Sequence, residues 1–251
     1  LFRSISLRFN PSDMSDNSNS NNNIGIDNIF NINRLGVSDT YEGGKSLTIG
    51  IDYKKESIQD INKYFQLKLG TVFRDVEEDR ISPSSTINRK GSNLFGSIDS
   101  NFTDFFKLEY DFAIDNDLNS FEHNNIKSTF LLKNITSEFN FTETNGAMGD
   151  TNIISNYTSI NLNEKNSLTF GTRRNRKISL TEYYNLIYSY KNDCLSAGIK
   201  YKKTYYKDRE LRPKEDLLLS ITIFPITKYE HEVDQSIYRG PNSINDLFDD
   251  L

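Results

Sequence analysis

The chain predicts an all-β fold: an antiparallel meander of about twelve strands, of the kind that walls a large transmembrane β-barrel. Three observations predict it. Apolar and polar residues alternate in run after run, and a period of two gives each run one apolar and one polar face. None of the five prolines, Pro11, Pro83, Pro213, Pro225 and Pro241, interrupts a run, as strands that use every backbone donor require. Short and long connections take turns along the chain, and a meander places successive connections at opposite ends of its sheet.

The runs follow in order. The first, 1–9, carries Leu1, Ile5, Leu7 and Phe9. In 45–55, Leu47, Ile49, Ile51 and Tyr53 alternate with Thr48, Gly50 and Asp52. In 62–74, Phe65, Leu67, Leu69 and Phe73 interleave with Gln66, Lys68 and Gly70. Run 91–102 precedes 105–118, where Phe106, Leu108, Tyr110 and Phe112 alternate with Lys107, Glu109 and Asp111. Run 124–133 leads to 135–145, with Ile135, Phe139 and Phe141 set against Thr136, Glu138 and Asn140. Runs 152–162 and 166–176 come next. Run 182–191 holds Tyr184, Leu186, Ile187, Tyr188 and Tyr190. Run 194–205 alternates Leu195, Ala197, Ile199 and Tyr201 with Ser196, Gly198, Lys200 and Lys202. The last, 215–225, sets Leu217, Leu219, Ile221 and Ile223 against Leu218, Ser220, Thr222 and Phe224. No segment shows a sustained helical period with caps.

The tight connections are 56–61, 103–104, 134, 163–165 and 192–193. The long ones are 10–44, 75–90, 119–123, 146–151, 177–181 and 206–214. Segment 10–44 reads as a surface loop that is low in complexity over 12–23. Short turns at one end and long loops at the other is the outer-membrane barrel pattern. Residues 1–226 read as barrel, and 227–251 as a polar tail.

Composition narrows the classes. No stretch of the 251 residues approaches eighteen consecutive apolar ones, so a transmembrane helix is not expected, although barrel strands escape that test. A formal charge of −5 argues against nucleic acid as a partner. One cysteine, Cys194, cannot close an internal disulfide. Leu1 stands inside a strand-like run, which suggests a piece of a longer protein.

Site candidates are few. Cys194 can be a small buried hydrophobe. Arg173, Arg174, Arg176 and Lys177 cluster at a long-loop end. A solvated rim accounts for them; the other reading is attraction to lipid phosphates. Glu77, Glu78 and Asp79 suit solubility or, alternatively, a divalent ion. His123 and His231 lack ligand spacing. No catalytic set or cofactor motif is present, so neither an enzyme nor a cofactor is expected.

Three stretches carry a resemblance. In 27–51 it rests on Asn28, Ile29, Phe30, Asn33, Arg34, Gly36, Asp39, Glu42 and Gly43 before a strand. Around Ser82 to Gly96 a further stretch precedes the strand with Tyr110 and Phe112. In 191–213, Asn192, Asp193 and Cys194 precede a strand, and Tyr206, Asp208, Arg209 and Pro213 precede the last one. Together they resemble the LptD family of lipopolysaccharide-assembly outer-membrane proteins. The resemblance implies the C-terminal half of a large barrel behind an N-terminal periplasmic domain. It implies lipopolysaccharide carried through a hydrated lumen and out through a lateral seam beside the last strand, at Leu217, Leu218, Leu219, Ser220, Ile221, Thr222, Ile223 and Phe224. The implied partners are an LptE-like lipoprotein plug, the periplasmic lipopolysaccharide-transport bridge, outer-membrane lipid and the barrel-assembly machinery. The implied location is the cell outer membrane with the tail in the periplasm. Cys194 would then stand on the periplasmic rim, an oxidising compartment, as a disulfide partner for the N-terminal domain. The departure is Leu195, where known members carry a second adjacent cysteine. A porin or transporter barrel, and a soluble adhesin or carbohydrate-binding module, are the rival readings.

Overall fold

The computed structural model describes residues 1–20, 24–37, 41–206 and 212–223, and the backbone of 227–234. Thirteen strands form a single sheet in chain order, each antiparallel to the next. They are β1 (Phe2–Asn10), β2 (Gly44–Glu56), β3 (Tyr64–Arg74), β4 (Leu94–Thr103), β5 (Phe106–Ile114), β6 (Phe121–Leu132), β7 (Ile135–Thr144), β8 (Thr151–Asn163), β9 (Asn166–Asn175), β10 (Leu180–Lys191), β11 (Leu195–Thr204), β12 (Lys214–Ile223) and β13 (Thr227–Asp234). The predicted all-β meander is present, with no α-helix among the described residues.

The turns 57–63, 104–105, 133–134, 164–165 and 192–194 lie at one end of the sheet. The loops 11–43, 75–93, 115–120, 145–150, 176–179 and 205–213 lie at the other. The shortest turns are held by their own side chains. Asn192 Oδ1 accepts the backbone N–H groups of Cys194 (3.0 Å) and Leu195 (2.7 Å), the Asx turn that suits Asn at a strand reversal.

Register sorts the residues onto two faces. The pairs Ile51–Leu69, Ile98–Tyr110, Phe141–Ile154, Leu186–Tyr201 and Ile199–Leu219 put the apolar sets of successive strands on one side. No described element packs on that side. Ile49, Ile51, Phe73, Phe139, Phe170, Leu186, Ile199 and Ile221 are all exposed. Phe106, Leu108, Tyr110 and Phe112 of the same apolar side are half-buried. Their own neighbours shield them: the rings of Phe106 and Phe130 lie 5.0 Å apart, and those of Tyr110 and Phe112 5.2 Å apart.

The hydrophobic core lies on the other, polar face. Loop 11–43, expected at the surface, folds back onto β3, β4 and β5. Met14, Ile24, Ile26, Ile29 and Leu35 from that loop join Ile81 and Ile87 from loop 75–93. Together they cover Val72, Phe95 and Ala113 of the sheet. Burial of apolar area drives this closure, and a loop that carries five such residues cannot stay extended in water. The low-complexity composition of its first half concealed them.

Two glycines make the seat. Gly50 and Gly70 are cross-strand partners in β2 and β3. A Cβ on Gly50 would stand 2.6 Å from the ring of Phe30, and one on Gly70 would stand 3.0 Å from Ile26. The bare backbone lets both side chains reach the sheet.

The last strand is a second correction. Residues 227–234, expected to be tail, pair with β12 from Ile223–Thr227 to Asp216–Asp234. Strand β12 therefore lies between β11 and β13, and residues 217–223 are not a free edge. The run Thr-Lys-Tyr-Glu-His-Glu-Val-Asp does alternate, but charge hides it and Pro225 suggested a stop. Phe224, Asp39, Asp208, Arg209 and residues 235–251 lie outside the described residues.

The glycine seat can be checked directly. Gly50→Val should leave β2 and β3 paired while it displaces Phe30. Overpacking of this kind costs about 1–3 kcal/mol. Hydrogen exchange in 24–37 should accelerate about tenfold with the strand amides still protected; unchanged exchange there would refute the seat.

Candidate functional site

The most elaborate constellation pins loop 11–43 to the sheet. Glu42 ends that loop, and its carboxylate is shared between two buried guanidiniums. Arg34 reaches it through Nε and Nη2, each at 2.6 Å. Arg74, at the end of β3, donates to the same carboxylate and to the carbonyl of Gly43 at 2.5 Å. Arg34 also donates to Thr48 Oγ1 (2.9 Å), Ser46 Oγ (3.1 Å) and the carbonyl of Ile29 (3.2 Å). Arg8 of β1 stands 3.6 Å from Glu42 and donates to the carbonyl of Asn31 at 2.5 Å. One carboxylate thus ties two stretches of the loop to β1, β2 and β3. Burial alone would raise its pKa; the Arg34 hydrogen bonds and the charges of Arg34 and Arg74 outweigh that and hold the carboxyl below its ordinary value.

The other loops lock onto the same cluster. Asn17 N–H donates to the carbonyl of Arg80 at 2.8 Å, and Asn17 forms a parallel bridge with Ile81. Arg80 pairs with Glu78 at 2.7 Å and donates to the carbonyl of Met14 at 3.2 Å. Of the acidic trio, then, Glu78 holds Arg80, and Arg80 makes the contact to loop 11–43. Asn93 and Glu122 continue the contacts to loop 145–150, where Asn93 Nδ2 donates to Glu122 Oε2 at 2.7 Å beside Met148. Three of the long loops form one lid over the polar face of β2 to β6.

Below the lid the polar face keeps its polar side chains. A groove there is lined by Asp27, Gln66, Lys68, Ser97, Asp99, Glu109 and Asp111, with Ile98 and Tyr110. Lys68 pairs with Asp27 at 2.9 Å, Gln66 donates to Asp52 at 2.8 Å, and Tyr64 donates to Asp99 at 3.0 Å. Carboxylates, amides and hydroxyls in this pattern suit passage of hydroxyl-rich ligands. No group of His, Cys, Asp and Glu is placed to hold a metal ion among the described residues.

The remaining sequence candidates lie elsewhere. Cys194 is an exposed free thiol in the turn 192–194, at the short-turn end. Arg173 is engaged by Glu182 at 2.8 Å, and Lys177 is paired with Asp150. Arg174 and Arg176 have no carboxylate partner among the described residues, and the Arg176 guanidinium lies 5.9 Å from the ring centre of Phe141. Leu219, Ile221 and Ile223 are exposed on the apolar face, while Leu218 and Ser220 are buried on the other.

The family model LPS transport system D, LptD, matches residues 16–145. That is more than half of the chain. The chain belongs to the LptD family. The match contains the Arg34–Glu42–Arg74 cluster and every core residue except Met14. The C-terminal stretch 191–213, with Cys194, lies beyond it. No curated protein matches. Among solved structures, a triple mutant of Rhodopseudomonas blastica porin is similar over 91% of this chain and 93% of its own, with 11% identity and a TM-score of 0.41. Another mutant of the Rh. blastica porin covers 74% and 83%, with 10% identity and a TM-score of 0.39. Sequence reasoning had marked Arg34 and Glu42 as family positions, yet not their partnership. Arg74, which completes it, gave no signal beyond its place at a strand end.

The latch makes a quantitative statement. Breaking a buried ion pair by removal of one partner costs about 3–5 kcal/mol. Glu42→Gln should therefore open the lid, read as faster hydrogen exchange throughout 24–37, while Arg8→Ala, which removes one peripheral ion pair and the contacts to Asn31 and Ile32, should have a smaller effect centred on 31–32. The pH dependence has a fixed sign. A carboxyl depressed in the folded state contributes stability above its unfolded value and loses it as pH falls through the folded one. Acid should thus loosen the lid only below the ordinary glutamate range, about pH 4.3, and the Glu42→Gln protein should lack that transition.

Proposed function

We propose that this LptD-family chain forms part of an outer-membrane translocon that assembles lipopolysaccharide into the outer leaflet. One observation carries the reading beyond family membership. The apolar face of β1 to β12 is covered by no described element, while the polar face holds the lid and the groove. In water that arrangement is inside out. In a bilayer it is the expected one, with lipid against the apolar face and a hydrated lumen against the other.

On this reading the long loops lie at the cell surface and the short turns in the periplasm. The saccharide of lipopolysaccharide passes the carboxylate- and amide-lined face. The acyl chains leave sideways between strands, which needs a seam of weak pairing, since a fully hydrogen-bonded closed barrel has no edge to open. The seam adjoins β13, not β12, because β12 is paired on both sides. Residues 217–223 then back the seam, and an LptE-like lipoprotein fills lumen beyond the lid. Cys194, exposed in a periplasmic turn, forms a disulfide with a periplasmic domain of the same protein. The lid over β2 to β6 favours this translocon over an open diffusion porin.

Two experiments test the proposal. A disulfide that ties β13 to the strand it meets in the closed barrel should stop delivery of lipopolysaccharide to the cell surface and leave heat-modifiable migration intact. Normal delivery through a covalently closed seam would exclude the lateral route. Cys194→Ser should change mobility of the full-length protein on non-reducing gels; equal mobility with normal assembly would make Cys194 a surface thiol and nothing more.

A further inference from the structure

The structure divides the basic cluster at the end of β9 into two pairs. Arg173 and Lys177 are neutralised by Glu182 and Asp150. Arg174 and Arg176 are exposed, and neither has a carboxylate partner among the described residues. Register fixes where they stand. Phe141 pairs with Ile154, and Ile154 pairs with Arg174, so Arg174 lies level with two members of the apolar face. Arg176 follows one residue past β9. Its N–H donates to the carbonyl of Asn152 at 2.8 Å, and its guanidinium lies over Phe141. The two arginines thus emerge at the long-loop margin of the apolar face.

The surroundings leave these two arginines outside a salt-bridge network among the described residues. Glu143, on the same face as Phe141, pairs in register with Asn124 and Asn152. It accepts from the amide of Asn152 at 2.8 Å and of Asn124 at 3.3 Å. Those amides occupy both of its oxygens without giving it a cation. Phe141 and Ile154 form an apolar floor, and a ring under a guanidinium keeps it flat and weakly hydrated. An acyl chain can lie on that floor while its phosphate takes the fork of both arginines, a geometry that guanidinium suits better than ammonium.

We infer that Arg174 and Arg176, over Phe141 and Ile154, bind the phosphate of an anionic lipid in the leaflet at the long-loop end. This rests on the proposed membrane reading and adds to it a retention site on the outer wall, separate from lumen and seam.

The test uses full-length protein in detergent micelles and fluorescent lipopolysaccharide. Each basic residue near an anionic surface contributes about 1 kcal/mol, so Arg174→Ala with Arg176→Ala should weaken binding about thirtyfold. Arg173→Ala with Lys177→Ala should stay within about twofold, and dephosphorylated lipopolysaccharide should bind like the double Arg variant. Heat-modifiable migration confirms that each variant is folded, and Arg174→Lys with Arg176→Lys should recover part of the affinity. Equal loss in both double variants would overturn the assignment in favour of a diffuse basic rim. Competition by inorganic phosphate at equal concentration would overturn the lipid in favour of a bare anion trap. Undiminished binding by the Arg174/Arg176 variant would remove the site, and would leave surface delivery of lipopolysaccharide, measured separately in cells, to decide the transport reading.

Discussion

Glu42 stands against three guanidiniums, and the lid depends on that contact. Ordering a long loop costs roughly 1–2 kcal/mol per residue in backbone freedom. Apolar burial by Ile24, Ile26, Ile29 and Leu35 offsets part of that, but hydrophobic contact is non-directional. The carboxylate supplies direction. It fixes Arg34 and the chain end at Glu42 against Ser46, Thr48 and Arg74, and so selects one docking of the loop among the many that would bury the same area. An excess of guanidinium around one carboxylate is tolerable only because backbone carbonyls take the remaining donors: Ile29 and Gly43 for the two buried arginines, Asn31 for Arg8. The local chain path is therefore part of the electrostatic solution, which places the latch at the join between loop and β2.

The same logic explains the two faces. A sheet that buried its apolar side against a second layer would hide Ile49, Ile199 and Ile221; these are exposed. What is buried is a patch of polar face with three apolar residues set in it. The sheet thus sends its sparse hydrophobes inward to hold loops and keeps its dense hydrophobes outward for a solvent that is not water. Lipid-facing strands have no water to satisfy an open edge, so the outer edges of β1 and β13 require partners.

Much of this was legible in the chain. Strict alternation located the strands, because a half-buried strand repeats every two residues and the faces follow by counting. The lid was not legible in that way, although its footprint was. Val72 sits beside Phe73, Phe95 beside Leu94, and Ala113 beside Phe112 and Ile114. At each place alternation breaks into an apolar doublet, and the member that falls on the polar face, Val72, Phe95 or Ala113, is buried under the loops. Ile187 beside Leu186 and Leu218 between Leu217 and Leu219 break the pattern likewise, and both are buried on the polar face. The latch left no such mark. An Arg and a Glu eight positions apart in a loop look like solvated charges until the fold brings Arg74 to them. Strand β13 was missed for the opposite reason: its period of two is present, but lysine and glutamate occupy the intervening positions and few apolar residues signal a face.

The doublets also divide the sheet into two working parts. The first three lie on β3 to β5 and hold the lid, whose contacts end at Glu122 and Met148. The last two lie on β10 and β12, where register places Thr169, Ile187, Lys200 and Leu218 in one row across four strands. All four are buried on the polar face, well away from the latch. A wall that combined lid and exit on the same strands would have to loosen its core each time lipid passed. Here the strands that hold the lid are stiffened by a core and an ion-pair cluster, while the strands nearest the proposed seam carry only Ile187 and Leu218, in one row with Thr169 and Lys200, as buried apolar residues on that face. On the proposed translocon reading, this separation would let pairing at β13 yield without disturbing the contacts of Glu42.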